Sequence, residues 1–280
     1  MKLLRKYLFL LFIVFIFASL AWGMLYLIVL RNKSCVVEPS TGKRQIPEQK
    51  SAFHEACTLL KAREDNSALL IFGEILKTLP DNNDALWGKA EVFRRQGRFE
   101  ESEQIIKDIF SRDKHHKPSI ISLCYIYCSK NRLKEALVLL QPVLSSKPID
   151  NETLALAWVM LGTINSKKIQ QAGLFRKITY VHDIRCCFEK AVYLAPDLAE
   201  PHLALGTFYY SVPRILGGNL NKAIDELMTA LTLAPDFATV NARLAQCYKK
   251  KGLKTECEFY YLRAKKLDPG NEILKEFSVK

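Results

Sequence analysis

Residues 238–271, ATVNARLAQCYKKKGLKTECEFYYLRAKKLDPGN, decide how the rest of the chain is read. Leu244, Ala245 and Tyr248 fall at helical spacing before Gly252, and Cys257, Tyr261 and Ala264 fall at helical spacing after it. Gly252 stands where the chain must reverse, and Pro269, which lacks an N–H, marks the end of the second helix. Two antiparallel helices approach closely only where the contact side chains are small. Here Ala245, Cys257 and Ala264 are small, and Leu244, Tyr248 and Tyr261 fill the wedge around them.

The same spacing recurs upstream. Residues 49–82 offer Ala56, Ala68, Phe72 and Pro80, and residues 83–116 offer Ala90, Phe93, Gly97, Phe99, Ser102 and Ile109, with Lys114 where a proline would close the unit. Residues 117–150 restore the pattern with Leu123, Cys124, Tyr127, Leu133, Ala136, Leu140 and Pro148. A fourth unit, 155–198, opens with Trp158, Leu161 and Gly162 and closes with Phe188, Ala191 and Pro196. Its middle, 166–180, is about ten residues too long, which a longer helix or an inserted loop would both accommodate. A fifth, 199–237, carries Leu205, Gly206, Tyr209, Ala223, Ala230 and Pro235. Its turn, 211–220, is lengthened, and Pro213 with Gly217 and Gly218 predicts a true loop. After 238–271, residues 272–277 read as the start of a helix covering the open face.

A helical pair of about 34 residues with small residues at the crossing resembles the tetratricopeptide repeat (TPR). The resemblance covers nearly all of 49–271 and implies an all-α, right-handed superhelix of about six pairs with no strands of consequence. It also implies a protein-binding role.

The segment before the array has another character. Of the formal charge of +12, half belongs to residues 1–50, where Lys2, Arg5, Lys6, Arg31, Lys33, Lys43, Arg44 and Lys50 face only Glu38 and Glu48. Residues 7–30 hold no charge and are rich in Leu, Phe and Ile. As a helix they would extend about 36 Å, enough to cross a hydrocarbon core of about 30 Å, which predicts a single membrane anchor. A cleavable signal peptide is the competing reading, through Ser19 and Ala21. Residues 31–48 contain Pro39, Ser40, Thr41, Gly42 and Pro47 and read as a flexible linker. Three basic residues before the span against two just after it favour an array outside the cytoplasm. The eight cysteines, with no CxxC pair, point the other way, toward reduced and packed thiols.

In the TPR family the first helix of each pair lines the concave groove. Carried over, its fifth place falls on Phe53, Trp87, Ile121, Val159, Leu203 and Ala242, and its ninth on Cys57, Glu91, Tyr125, Thr163, Thr207 and Gln246. Arg94 and Arg95 stand at the edge of the second unit. The Lys and Asn with which some family members grip a C-terminal carboxylate are absent at these places. An apolar, aromatic groove of this kind suits an amphipathic helix or an extended peptide, with packing in the core as the competing role for each residue.

Motifs of chemistry are absent. The sequence has no P-loop, dinucleotide fingerprint, GxSxG or HExxH. His115 and His116 precede Cys124 and Cys128, and His182 lies one turn from Cys186, but neither set has the spacing of a zinc knuckle. No aromatic-interleaved basic stripe suggests nucleic acid. The expectation is a non-enzymatic, membrane-tethered scaffold that binds protein partners and needs no cofactor or metal. A second resemblance, of residues 213–219 (PRILGGN) with Lys222 and Ala223 to turns in the TPR proteins that accompany TRAP solute transporters, implies an accessory protein holding a small ligand.

Overall fold

The computed structural model describes residues 41–146, 149–169 and 174–277. The chain divides into two compact units, 1–50 and 51–280. The anchor expected at 7–30 lies outside the described residues, among which no helix is long and apolar enough to cross a membrane.

Residues 51–277 form a succession of helical pairs, and no strand occurs among the described residues. The pairs are α1 (Thr41–Ala62) with α2 (Asp65–Thr78), α3 (Asn83–Arg95) with α4 (Phe99–Arg112), and α5 (Lys117–Ser129) with α6 (Leu133–Ser145). They continue with α7 (Asn151–Lys168) and α8 (Leu174–Leu194), α9 (Ala199–Ser211) and α10 (Leu220–Leu233), and α11 (Ala238–Lys251) and α12 (Lys254–Leu267). A short α13 (Glu272–Lys275) follows, and its Leu274 is buried with Ala242 and Ala264.

The small residues sit where the pairs cross. Ala56, Ala90, Cys124 and Ala245 are buried on the first helices. Direct contacts tie them to the second helices: the Ser102 hydroxyl donates to the Ala90 carbonyl at 2.7 Å, and the Cys124 thiol to the Ala136 carbonyl at 3.3 Å. In the fourth and fifth pairs the place is glycine, and a Cβ on Gly162 would lie 2.4 Å from the Phe188 ring. Large side chains such as Phe72, Ile106, Leu140 and Leu227 fill the space beside these crossings. Successive apolar clusters are shared between neighbouring pairs, so each pair covers the apolar side of the next.

Helix ends follow the sequence closely. Asn82, Asp150, Asn219 and Asn271 accept backbone N–H groups of the helices they precede. Between the helices of a pair, one residue adopts the left-handed conformation: Gly97 (φ 77°), Gly252 (φ 78°), Asn131 (φ 58°) and Arg63 (φ 70°). Three of these are residue types that reach this region readily, and arginine is not.

Two expectations are corrected, and two points left open by the sequence are resolved. The stretch read as a linker, 31–48, is helical from Thr41 onward, because Lys43, Arg44, Gln45 and the residues after Pro47 favour helix. The fourth unit begins at Asn151 rather than 155, where the Asp150 side chain caps α7. The extra residues of 166–180 lengthen helices rather than form a long loop, since α7 runs to Lys168 and α8 starts at Leu174. Lacking a proline, the second unit ends instead on Asp113, whose side chain accepts the His115 N–H at 2.8 Å. The lengthened turn 211–220 is a loop as expected, with a 3₁₀ turn at Arg214–Leu216.

Candidate functional site: the concave face

The first helices bring the expected groove residues together, but the deepest of them form a charged cluster rather than an open apolar surface. Glu91 is its hub. One carboxylate oxygen accepts from Arg94 Nη2 and from Arg95 Nε (3.0 Å), and the other accepts from Arg94 Nε (2.8 Å) and the Ser122 hydroxyl (2.8 Å). Ser122 in turn accepts the indole N–H of Trp87 at 3.1 Å. Burial alone would raise the Glu91 carboxyl, but the two guanidinium groups and the Ser122 hydrogen bond outweigh it and hold it far below the usual carboxylate range.

Arg95 carries the cluster back to the first pair, donating to the Leu60 carbonyl (2.7 Å) and to Asp65 (2.9 Å). It also reaches forward to Glu200 on α9 at 3.4 Å. Arg63, the arginine in the left-handed turn, pairs with the same Glu200 oxygen at 2.6 Å, and its guanidinium lies 3.6 Å from the centre of the Phe237 ring. The first pair is thereby bonded to the fifth. A second contact joins the first pair to the fourth, Lys61 to Glu152 at 2.5 Å, with both side chains nearly half exposed. Burial and the neighbouring Arg95 lower Arg63 to about 10, still charged at neutral pH. Among the described residues, Arg63 Nε and Glu200 Oε2 are buried without a hydrogen-bond partner.

The expected groove residues divide into three groups. Glu91, Arg94 and Arg95 belong to the cluster, so the two arginines lie inside the concave face rather than at its edge. Ile121 and Gln246 are buried, Ile121 among the core residues of the third and fourth pairs, and Gln246 against Arg243 and Glu276. Phe53 leans on Phe72 with ring centres 6.1 Å apart, and Trp87 is half-buried. What faces outward is Tyr125, 44% exposed with the Arg94 guanidinium 3.9 Å from its ring centre, and in part Val159, Thr163, Leu203 and Thr207.

Sequence reasoning missed Arg63, Asp65, Ser122 and Glu200. Arg63 alone carried a signal, being a charged residue at the turn place where its counterparts are Gly97, Asn131 and Gly252.

Of the residues considered for metal, His182 Nε2 lies 3.5 Å from Cys186 Sγ, while His116 has other partners. His116 Nδ1 meets the Ser119 hydroxyl at 2.7 Å and Nε2 meets Asp84 at 3.0 Å. Among the described residues no three metal-ligating side chains cluster. The described cysteines are free thiols, and burial raises Cys128, Cys187 and Cys247 to about 11 and Cys124 to about 12.

The family model of the tetratricopeptide repeat matches residues 238–271. No curated protein matches the chain. Among solved structures, the human IFIT1 dimer with m7Gppp-AAAA superposes with a TM-score of 0.57 at 15% identity, covering 81% of this chain and 52% of that one. The Cut9–Hcn1 hetero-tetramer of the APC/C superposes with a TM-score of 0.54 at 17% identity, covering 85% of this chain and 44% of that one. The chain thus spans about half the length of either. PilF of Pseudomonas aeruginosa is 15% identical over 82% of this chain and 96% of its own, with a TM-score of 0.46. One tetratricopeptide repeat is thus matched in sequence, at residues 238–271, and the five pairs before it are built on the same small-residue crossing.

Proposed function

We propose that the chain is a non-enzymatic scaffold, held at a membrane through residues 7–30, that docks a protein partner on the concave face of its repeats. The observation that carries this reading is the charged cluster of Glu91, Arg94, Arg95, Asp65, Arg63 and Glu200. It fixes the first, second and fifth pairs relative to one another, so the face beside it is preorganised and a ligand need not order it. On that face Tyr125, with Val159, Thr163, Leu203 and Thr207, offers a partly apolar surface for a helix or extended peptide. The same cluster argues for protein over nucleic acid. Each of its three arginines already faces a carboxylate and is not available to a phosphate backbone.

A photo-crosslinking residue placed at Tyr125 in the full chain, in intact cells, tests the groove against the same residue at Tyr193, which is 85% exposed on a second helix. A reproducible protein adduct at 125 and none at 193 supports the reading. Adducts only at 193, or none at 125, sink it. The anchor is tested separately: recovery of the full chain in the soluble fraction without detergent removes the membrane from the proposal. Thiol labelling of intact cells reads the side on which the array lies, with an extracytoplasmic array expected.

A further inference from the structure

The last pair gathers positive charge without matching carboxylates. A hollow of about 230 Å³ opens between Tyr210 at the end of α9, Gln246, Lys249 and Lys250 on α11, and Glu276 and Phe277 just beyond α13. The burial of Leu274 holds the last two in place. The Phe277 N–H donates to the Leu274 carbonyl at 3.0 Å, and the Phe277 ring centre lies 5.2 Å from that of Tyr261.

Two aromatic rings of the hollow each carry a lysine. Lys249 Nζ lies 4.7 Å from the centre of the Phe277 ring, and Lys250 Nζ lies 5.0 Å from that of Tyr210. Lys250 also donates to the Tyr210 carbonyl at 3.4 Å. Both lysines are exposed, and among the described residues neither forms an ion pair. Next to them, Arg243 donates to Gln246 Oε1 at 2.7 Å, and the Gln246 amide donates to Glu276. Arg243 forms no ion pair among the described residues either. Burial lowers its pKa and Glu276 does not offset this, whereas for Arg94 and Arg95 the same burial is overcome by Glu91.

Three cations thus face one carboxylate. The charged groups acting on Tyr210 are Glu276 and Arg243, and those acting on Cys247 are Arg243, Lys250 and Lys251. Glu258 acts on Cys257, as Lys249 does, but pairs with neither lysine of the hollow. The concave cluster, by contrast, sets its three arginines against Glu91, Asp65 and Glu200 and is balanced. An excess of two positive charges beside two rings calls for a compact dianion attached to an apolar group. A phosphate monoester is such a ligand, with a second pKa of about 6, while a carboxylate or a phosphodiester brings one charge.

We propose that this hollow binds a phosphate monoester, with the phosphoryl group between Lys249 and Lys250 and the organic group against Tyr210 and Phe277.

The test is calorimetric titration of phenyl phosphate into the full chain in phosphatidylcholine nanodiscs at about pH 8, where the ester is dianionic. Saturable binding is expected, weaker by about tenfold in Lys249→Gln and in Lys250→Gln, each of which removes a charge-assisted hydrogen bond. Glu276→Gln removes the opposing charge and should bind about threefold more tightly. Because both lysines are exposed, their replacement leaves the fold intact, and circular dichroism melting of each variant checks this. Methyl phenyl phosphate, a monoanionic diester, and inorganic phosphate, which has no ring, should each bind about tenfold more weakly than phenyl phosphate. The proposal is overturned if phenyl phosphate does not bind, if the lysine variants bind as the parent does, or if Glu276→Gln gains nothing. Equal binding of the diester overturns the charge count, and equal binding of inorganic phosphate overturns the role of the rings. Phosphatidic acid vesicles carry the same group. If they displace phenyl phosphate, and less so in both lysine variants, the site stands with a lipid headgroup as its source. If they do not, it stands with a soluble ester. The hollow shares only Gln246 with the expected groove residues, so failure here leaves crosslinking from Tyr125 unaffected.

Discussion

The concave cluster and the junction of the fourth, fifth and sixth pairs fasten the same kind of solenoid in opposite ways. At the junction, Phe188, Leu205, Leu227, Val240 and Leu244 lie in one continuous apolar cluster, each helix covering the next. On the concave face, six charged side chains from three pairs do the joining. The apolar junction is local and non-directional, so it binds neighbour to neighbour. The charged cluster is directional and specifies which distant units meet, as hydrogen-bonded buried charges can.

The sharpest way to break the comparison is to remove the hub. Glu91→Ala leaves Arg94 and Arg95 buried beside each other, and a loss of about 3–5 kcal/mol is expected in urea denaturation, as for other buried pairs deprived of one member. A loss below about 1 kcal/mol, the range of exposed pairs, would show that the cluster is solvated and the contrast false.

Next comes Arg63→Gly. Glycine relieves the left-handed backbone at φ 70°, by about 1 kcal/mol, but strips Glu200 of its nearest cation. A net destabilisation of about 2 kcal/mol is expected, the loss of a buried partner exceeding the relief. A more stable variant would mean that the arginine is tolerated rather than used. Gly162→Ala probes the apolar side. Its new methyl meets the Phe188 ring, and overpacking of about 1–3 kcal/mol is expected in thermal melting. Combined with Arg63→Gly, the two losses should add, because local packing and the long-range tie share no partner.

The smallest effect is a pH dependence at the junction. His202 is buried with Nδ1 2.6 Å from Glu226 and Nε2 2.9 Å from the Pro196 carbonyl, so both nitrogens face acceptors. Burial works against the charged ring, yet the Glu226 hydrogen bond and the Pro196 carbonyl outweigh it and raise its pKa above the ordinary 6.5. The folded value lies above the unfolded one. The stabilisation is therefore full below about pH 6.5 and lost as pH rises through the folded value. Denaturation midpoints between pH 5.5 and 8.5 should fall with this slope in the parent and flatten in His202→Gln.

Much of this was legible from residue spacing. The crossing residues Ala56, Ala90, Cys124 and Ala245 and the loop at Pro213 follow from local rules of size and φ. The concave cluster was not, because it depends on how far the superhelix winds before the first pair meets the fifth. Arg63 and Glu200 are 137 residues apart, and no repeat period links them. Glu91 and Tyr125 hold the ninth place of successive first helices. Whether the concave face is open or filled is a property of curvature, which the spacing within one unit does not contain.

A row of repeats that touch only their neighbours can fray, lengthen or lose a terminal unit at the cost of one interface. Here the guanidinium of Arg63 closes a span of five pairs into a loop. Its opening end is thus no longer an end in the cooperative sense, and shortening the array by its last two units would release the first as well.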